Sequence, residues 1–213
     1  MTGRVYDISL AIEPGLPIWP TSKGFHVRRT MDLADGDPAN VSGLEMDVHT
    51  GTHVEAPLHF LPDGDPLDRI PLGRFVGPAV VVEIAGESVT AAALEAAAIP
   101  IGTTRLLVKT ANSQRWAEGW GSFDPEYVAL THDAARLIVH VGIQLVGIDH
   151  LSVQTFDDDG ETHRILMRSG VTILEGLNLA EIQPGTYMLV AVPIRLVGTE
   201  AAPTRAILID QAT

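Results

Sequence analysis

The stretch Glu45-Met46-Asp47-Val48-His49-Thr50-Gly51-Thr52-His53-Val54-Glu55-Ala56-Pro57-Leu58-His59 reads as extended chain. Val48, Thr50, Thr52 and Val54 are β-branched and lose side-chain freedom in a helix, and Gly51 weakens one further. Alternate residues of an extended chain share a face, so His49, His53 and Glu55 are expected to project together. Pro57 cannot donate to a ladder, so it ends regular pairing and lets His59 swing back over that face. Three of the eight histidines fall within the eleven residues from His49 to His59, where uniform scatter would put roughly 0.4. Two imidazoles and a carboxylate are a common ligand set for a catalytic divalent metal. Hydrolysis at such a metal needs a position open to water and a base to take its proton.

Outward from this stretch, short apolar runs bounded by Gly, Pro or Asp predict strands at Ala79 to Ile84, Arg105 to Lys109, Gln144 to Asp149, Thr186 to Val192 and Arg205 to Asp210. Helices are predicted over Val89 to Ala98, with Ser88 or Thr90 as cap, and over Pro125 to Val141. The second has Asp124 as N-cap, Pro125 at the first helical position and Gly142 just past the end. Its Tyr127, Leu130, Ala134, Leu137, Ile138 and Val141 form one apolar stripe. Asn112 to Phe123 and Ser152 to Thr162 read as irregular. The acidic run Asp157-Asp158-Asp159-Gly160-Glu161 lacks the alternating ligands of a calcium loop and reads as solvated. Strands outnumbering interleaved helices indicate a single α/β domain over residues 1–213, with a mixed sheet and few helices.

The chain has 213 residues, 46% of them hydrophobic, and a net charge of −13, so it can bury a core and is not disordered as a whole. Its acidity argues against nucleic acid as a partner, because phosphate backbones carry the same sign. With no cysteine, disulfides, thiolate nucleophiles and sulfur-ligated zinc are excluded, leaving histidine and carboxylate as metal ligands. No membrane span or targeting signal is expected, which predicts a cytoplasmic protein. There is no G-x-S-x-G elbow for a serine hydrolase and no glycine-rich phosphate loop. His26, His132 and His140 read as ordinary surface or helix residues.

The run His49-Thr50-Gly51-Thr52-His53-Val54-Glu55-Ala56-Pro57-Leu58-His59 resembles the H-x-G-T-H-x-[D/E]-x-P-x-H signature of the cyclase family, which includes bacterial kynurenine formamidases and isatin hydrolases. Pro17-Ile18-Trp19-Pro20, Asp68-Arg69-Ile70-Pro71-Leu72, Gly77-Pro78-Ala79-Val80-Val81, Gly147-Ile148-Asp149, Ser152, His163 and Ile173-Leu174-Glu175-Gly176-Leu177 are also similar to family sequence. The resemblance implies a swivelling β/β/α domain, as a homodimer or homotetramer with active sites near the subunit interface. It implies that His49, His53 and Glu55 hold a first metal. His163 and Glu175 would hold a second, with the motif acid bridging, in members that carry two ions. His59 would be the catalytic acid/base, and Trp19 would contact substrate.

Two positions depart from the formamidase pattern. Glu55 stands where Asp is usual, moving the carboxylate by about 1.5 Å, and Gln154 stands where Asp commonly follows the serine. The resemblance therefore implies a metal-dependent hydrolase of an amide, formamide or cyclic amide in a small-molecule substrate, with zinc or manganese as the ion, one or two per subunit. Trp116 and Phe60 are further candidates for an aromatic wall. The competing readings are a cyclase or lactone/isatin-type hydrolase, and a metal-binding module without turnover.

Overall fold

A computed structural model describes residues 3–210. Its centre is a run of parallel strands: β5 (Val76–Glu83), β6 (Arg105–Lys109), β7 (Leu145–Ile148) and β8 (Thr172–Glu175). Parallel neighbours require crossovers, and helices supply them. α1 (Ala91–Ala96) lies between β5 and β6, α2 (Asn112–Ala117) and α3 (His132–His140) between β6 and β7, and α4 (Glu161–Arg168) between β7 and β8. On one side the sheet continues antiparallel through β9 (Gly185–Val190), β11 (Ile207–Asp210) and β1 (Val5–Asp7). On the other it continues through β4 (His53–Glu55) and β10 (Ala201–Pro203). The result is a nine-stranded mixed sheet, with a separate ribbon of β2 (Phe25–Met31) and β3 (Val41–Met46).

Both faces of the central strands are buried, which is why they read as continuous apolar runs rather than alternating ones. Leu106, Val108, Val146, Ile148 and Ile173 face one way and pack against Leu94 of α1, Ile138 of α3 and Leu166 of α4. Leu107, Leu145 and Leu174 face the other way, towards Ile8, Val54, Phe75 and Leu208. Each such side chain contributes about 1.5–3 kcal/mol on burial. Among the described residues no helix is long and apolar enough to cross a membrane.

All five predicted strands are present, with ends displaced by three residues or fewer. Thr90 caps α1, its hydroxyl accepting from the Ala93 N–H. The expected helix from Pro125 is corrected: only His132–His140 is helical. Asn112 holds Val128 through both its N–H and its carbonyl, Leu130 N–H bonds the Val153 carbonyl, and Leu130 bridges Val89. These tertiary bonds take up backbone groups that a longer helix would need. Asp124 caps a turn instead, accepting from Glu126 N–H. Asn112 to Phe123 is not wholly irregular, since α2 occupies its first half. The acidic run is likewise not simply solvated. The Asp158 carboxylate accepts from the backbone N–H of Gly160, Glu161 and Thr162 and from the Thr162 hydroxyl, fastening the start of α4.

Candidate metal centre

The motif lies where β4 enters the sheet between β8 and β10. His53 and Glu55 alternate on β4 with Val54 between them, so both project to one face while Val54 enters the core. His49 is not on the strand. It sits in the preceding turn, and Gly51, at φ +67°, lets the chain reverse so that the imidazole points back at Glu55. Pro57–His59 forms a single 3₁₀ turn that brings His59 over the same carboxylate. Register sets the next residue: His53 pairs with Glu175 across the antiparallel β4–β8 ladder. His163 comes from α4, the crossover that feeds β8.

These side chains converge. Glu55 Oε1 lies 3.0 Å from His49 Nδ1, 3.6 Å from His53 Nε2 and 3.4 Å from His59 Nε2. Glu55 Oε2 lies 3.2 Å from His163 Nε2. Glu175 Oε2 is 3.3 Å from His53 Nε2, and its Oε1 is 3.3 Å from His163 Nε2. Val153 N–H also donates to Glu175 Oε1, at 2.6 Å. Two subsets, His49 with Glu55 and His59, and His53 with Glu55 and Glu175, each bring three ligand atoms within 4.8 Å of one another.

The donor set fits a divalent cation. His53, Glu55, His163 and Glu175 are buried, yet the contacts of His53 Nε2 and Glu55 Oε2 with their ionisable neighbours lack the alignment of full hydrogen bonds. Polar atoms this deep normally have one. His53 Nδ1 donates to the Gly51 carbonyl at 2.9 Å, an oxygen that can only accept. In the neutral ring the lone pair is therefore on Nε2, the atom facing the carboxylates. Burial alone would lower the His53 pKa, but hydrogen bonds and charge from Glu175 and Glu55 outweigh it and push it up to about 10. His163 is likewise opposed by burial but raised, chiefly by the Glu55 charge, to about 9. The Glu55 carboxyl lies well below the usual range, burial being overcome by the His163 and His59 charges. A field that favours a proton on His53 and His163 also attracts a metal ion, whose binding displaces those protons.

His59, like His49, is less enclosed than His53 and His163. Its side chain retains 30% exposure, and burial, with the His49 and His163 charges added, lowers its pKa against the pull of Glu55. It stands at a cavity of about 510 Å³ that His49, Glu55, His163, Glu175, Phe60 and Trp19 also line. Trp19 packs edge-on to Phe123 at 5.2 Å and beside Phe156 at 5.5 Å. Phe60 stacks on His163 with centroids 4.3 Å apart. Trp116 is elsewhere, tilted against Trp120 and stacked with His150, and is not part of this wall.

Comparison with known proteins gives the family and the fold. The model of the Cyclase family, described as "Putative cyclase", matches residues 6–155. Cyclase-like protein 3 of Arabidopsis thaliana is 38% identical over 97% of this chain and 79% of its own length. The chain belongs to the cyclase family. The solved structure of a potential metal-dependent hydrolase with cyclase activity is 34% identical and superposes with a TM-score of 0.84 over 99% of both chains. Isatin hydrolase A from Labrenzia aggregata, at 22% identity, shares the fold, with a TM-score of 0.81 over 97% of this chain and 93% of its own.

Two residues of this cyclase-family chain stand behind the histidines. Glu200 Oε1 lies 3.3 Å from His49 Nε2, and Gln154 Oε1 lies 2.6 Å from His163 Nδ1. Sequence reasoning missed Glu200, which is distant from the motif in sequence. It arrives through β10, whose pairing with β4 brings the Glu200 carbonyl to Ala56 N–H at 2.8 Å. Gln154 departs from the formamidase pattern, and its partner His163 is brought to it only by the fold.

Proposed function

We propose that this cyclase-family protein is a metal-dependent hydrolase that cleaves an amide, formamide or cyclic amide of a small aromatic substrate. The observation that carries this reading is the convergence of His49, His53, His59 and His163 on the two oxygens of Glu55, with His53 and His163 buried and His49 and His59 open to the cavity. His49, His53 and Glu55, together with His163 and Glu175, would hold one or two divalent ions, zinc or manganese. The two oxygens of Glu55 face different imidazoles, which supports the reading that it would serve both ions where two are bound.

When bound, the ion supplies Lewis acidity to a carbonyl and to water. The remaining work belongs to side chains. His59, whose lowered pKa keeps it neutral near pH 7, takes the proton of the attacking water and returns it to the leaving nitrogen. Trp19 and Phe60 offer flat apolar faces against which an aromatic ring stacks.

A colorimetric assay against N-formylkynurenine and isatin, extended to a panel of anilides and lactones, tests the proposal. Hydrolysis of at least one amide that is lost on chelation is expected. Stoichiometric bound metal with no turnover across the panel would instead support a binding module.

A further inference from the structure

We infer that Gln154 is a positioning residue that holds His163 as a neutral metal ligand, a role resting on the metal-centre reading above. Every polar group of Gln154 is engaged. Its side-chain Oε1 accepts from His163 Nδ1 at 2.6 Å, and its Nε2 donates to the Asp158 carbonyl at 3.1 Å. Its backbone N–H donates to Ser152 Oγ at 3.3 Å, and its carbonyl accepts from the Tyr127 hydroxyl at 2.7 Å.

The orientation of the carboxamide follows from its far end. A backbone carbonyl can only accept, so the group facing Asp158 must be the NH₂ and the atom facing His163 must be the oxygen. An amide oxygen can only accept, so the proton of a neutral His163 is on Nδ1 and the lone pair on Nε2. That nitrogen is the one lying 3.2 Å from Glu55 Oε2 and 3.3 Å from Glu175 Oε1. The Gly51 carbonyl does the same for His53. Both inner imidazoles are thus backed by uncharged acceptors, whereas the outer His49 is backed by the Glu200 carboxylate. Asp158 also fastens the start of α4, so the helix carrying His163 and the amide aiming its ring share one anchor.

Partners behind a metal-bound histidine commonly contribute 10–100-fold to affinity. The test is Zn²⁺ binding to the full chain, measured by competition with a chelator, in wild type, Gln154→Met and Gln154→Glu. The methionine variant matches the glutamine in length and offers only a weak thioether acceptor; the glutamate variant keeps an oxygen acceptor. We expect about a 10–100-fold loss of affinity for one ion in Gln154→Met and a smaller loss in Gln154→Glu. In the Zn²⁺-loaded wild type, a slowly exchanging His163 Nδ1–H proton signal is expected by NMR; it should persist in Gln154→Glu and vanish in Gln154→Met. A merely structural role would lower thermal stability without changing either readout. Equal affinity in a folded Gln154→Met protein would overturn the inference and leave the metal-hydrolase reading intact. If Gln154→Met does not fold, loss of the Nδ1–H signal in Gln154→Glu overturns it. A wild-type chain that binds no Zn²⁺ would overturn both.

Discussion

His53 and Glu175 face each other as register partners across β4 and β8, with His53 Nε2 3.3 Å from Glu175 Oε2. Residues 122 positions apart are thereby joined by the sheet itself, a more rigid support than two loops would be. Glu55, two positions along β4, falls on the same face, and α4 lowers His163 onto it. The centre is therefore a property of the β4–β8 ladder, and disturbing that ladder disturbs the ligands together.

Gly176→Ala tests this coupling. Gly176, just past β8, adopts φ +69°, and a Cβ there would lie 2.4 Å from the Gly51 carbonyl oxygen, inside the turn that aims His49 and His53. Gly142 has a similar φ of +83° but open space around it. Gly142→Ala should cost about 1 kcal/mol of backbone strain. Gly176→Ala should cost about 3 kcal/mol or more and weaken metal binding as well. Urea unfolding and metal content measure both, and equal losses in the two variants would contradict the coupling.

His59→Ala should reduce kcat by about 10²–10⁴-fold while leaving metal content unchanged, because the imidazole acts on protons from the cavity side. Steady-state kinetics with metal analysis on the same sample checks this. Retained turnover would remove the acid/base assignment, and loss of metal would make His59 a ligand.

His150 carries the clearest pH dependence outside the centre. Its ring lies flat on Tyr127, with centroids 3.6 Å apart, and burial, aided by the Arg115 charge, pushes its pKa down to about 3. The folded state thus favours the neutral ring. This contribution is fully present above the unfolded value near 6.5 and is lost as pH falls from there towards 3, at about 1.4 kcal/mol per unit. Between about pH 7 and pH 5, wild type should lose more stability than His150→Phe, as read by urea unfolding. Parallel curves would show that His150 is not the group being titrated.

Legibility in the sequence followed the range of the interaction. The central strands are visible because burial on both faces demands unbroken apolar runs such as Leu106–Val108 of β6. The motif histidines are visible because they are crowded and near in sequence. Pro125 misleads because local helix signals there are overruled by Asn112, whose side chain holds Val128 from another element. The β2–β3 ribbon and α4 were not anticipated. Glu200 has no local signal, and only the β10–β4 register places it beside His49. His163 and Glu175 were expected from family resemblance alone, since nothing in their spacing announces that a helix and the strand it feeds meet at Glu55.

The central claim is that the His–Glu cluster holds a divalent ion on which hydrolysis depends. The most direct measurement strips the protein with a chelator and follows amide hydrolysis as Zn²⁺ or Mn²⁺ is returned in measured equivalents. The account predicts no turnover in the stripped protein, and activity that rises with bound ion and saturates at one or two per chain. Full hydrolytic activity in protein shown to be free of metal would contradict it.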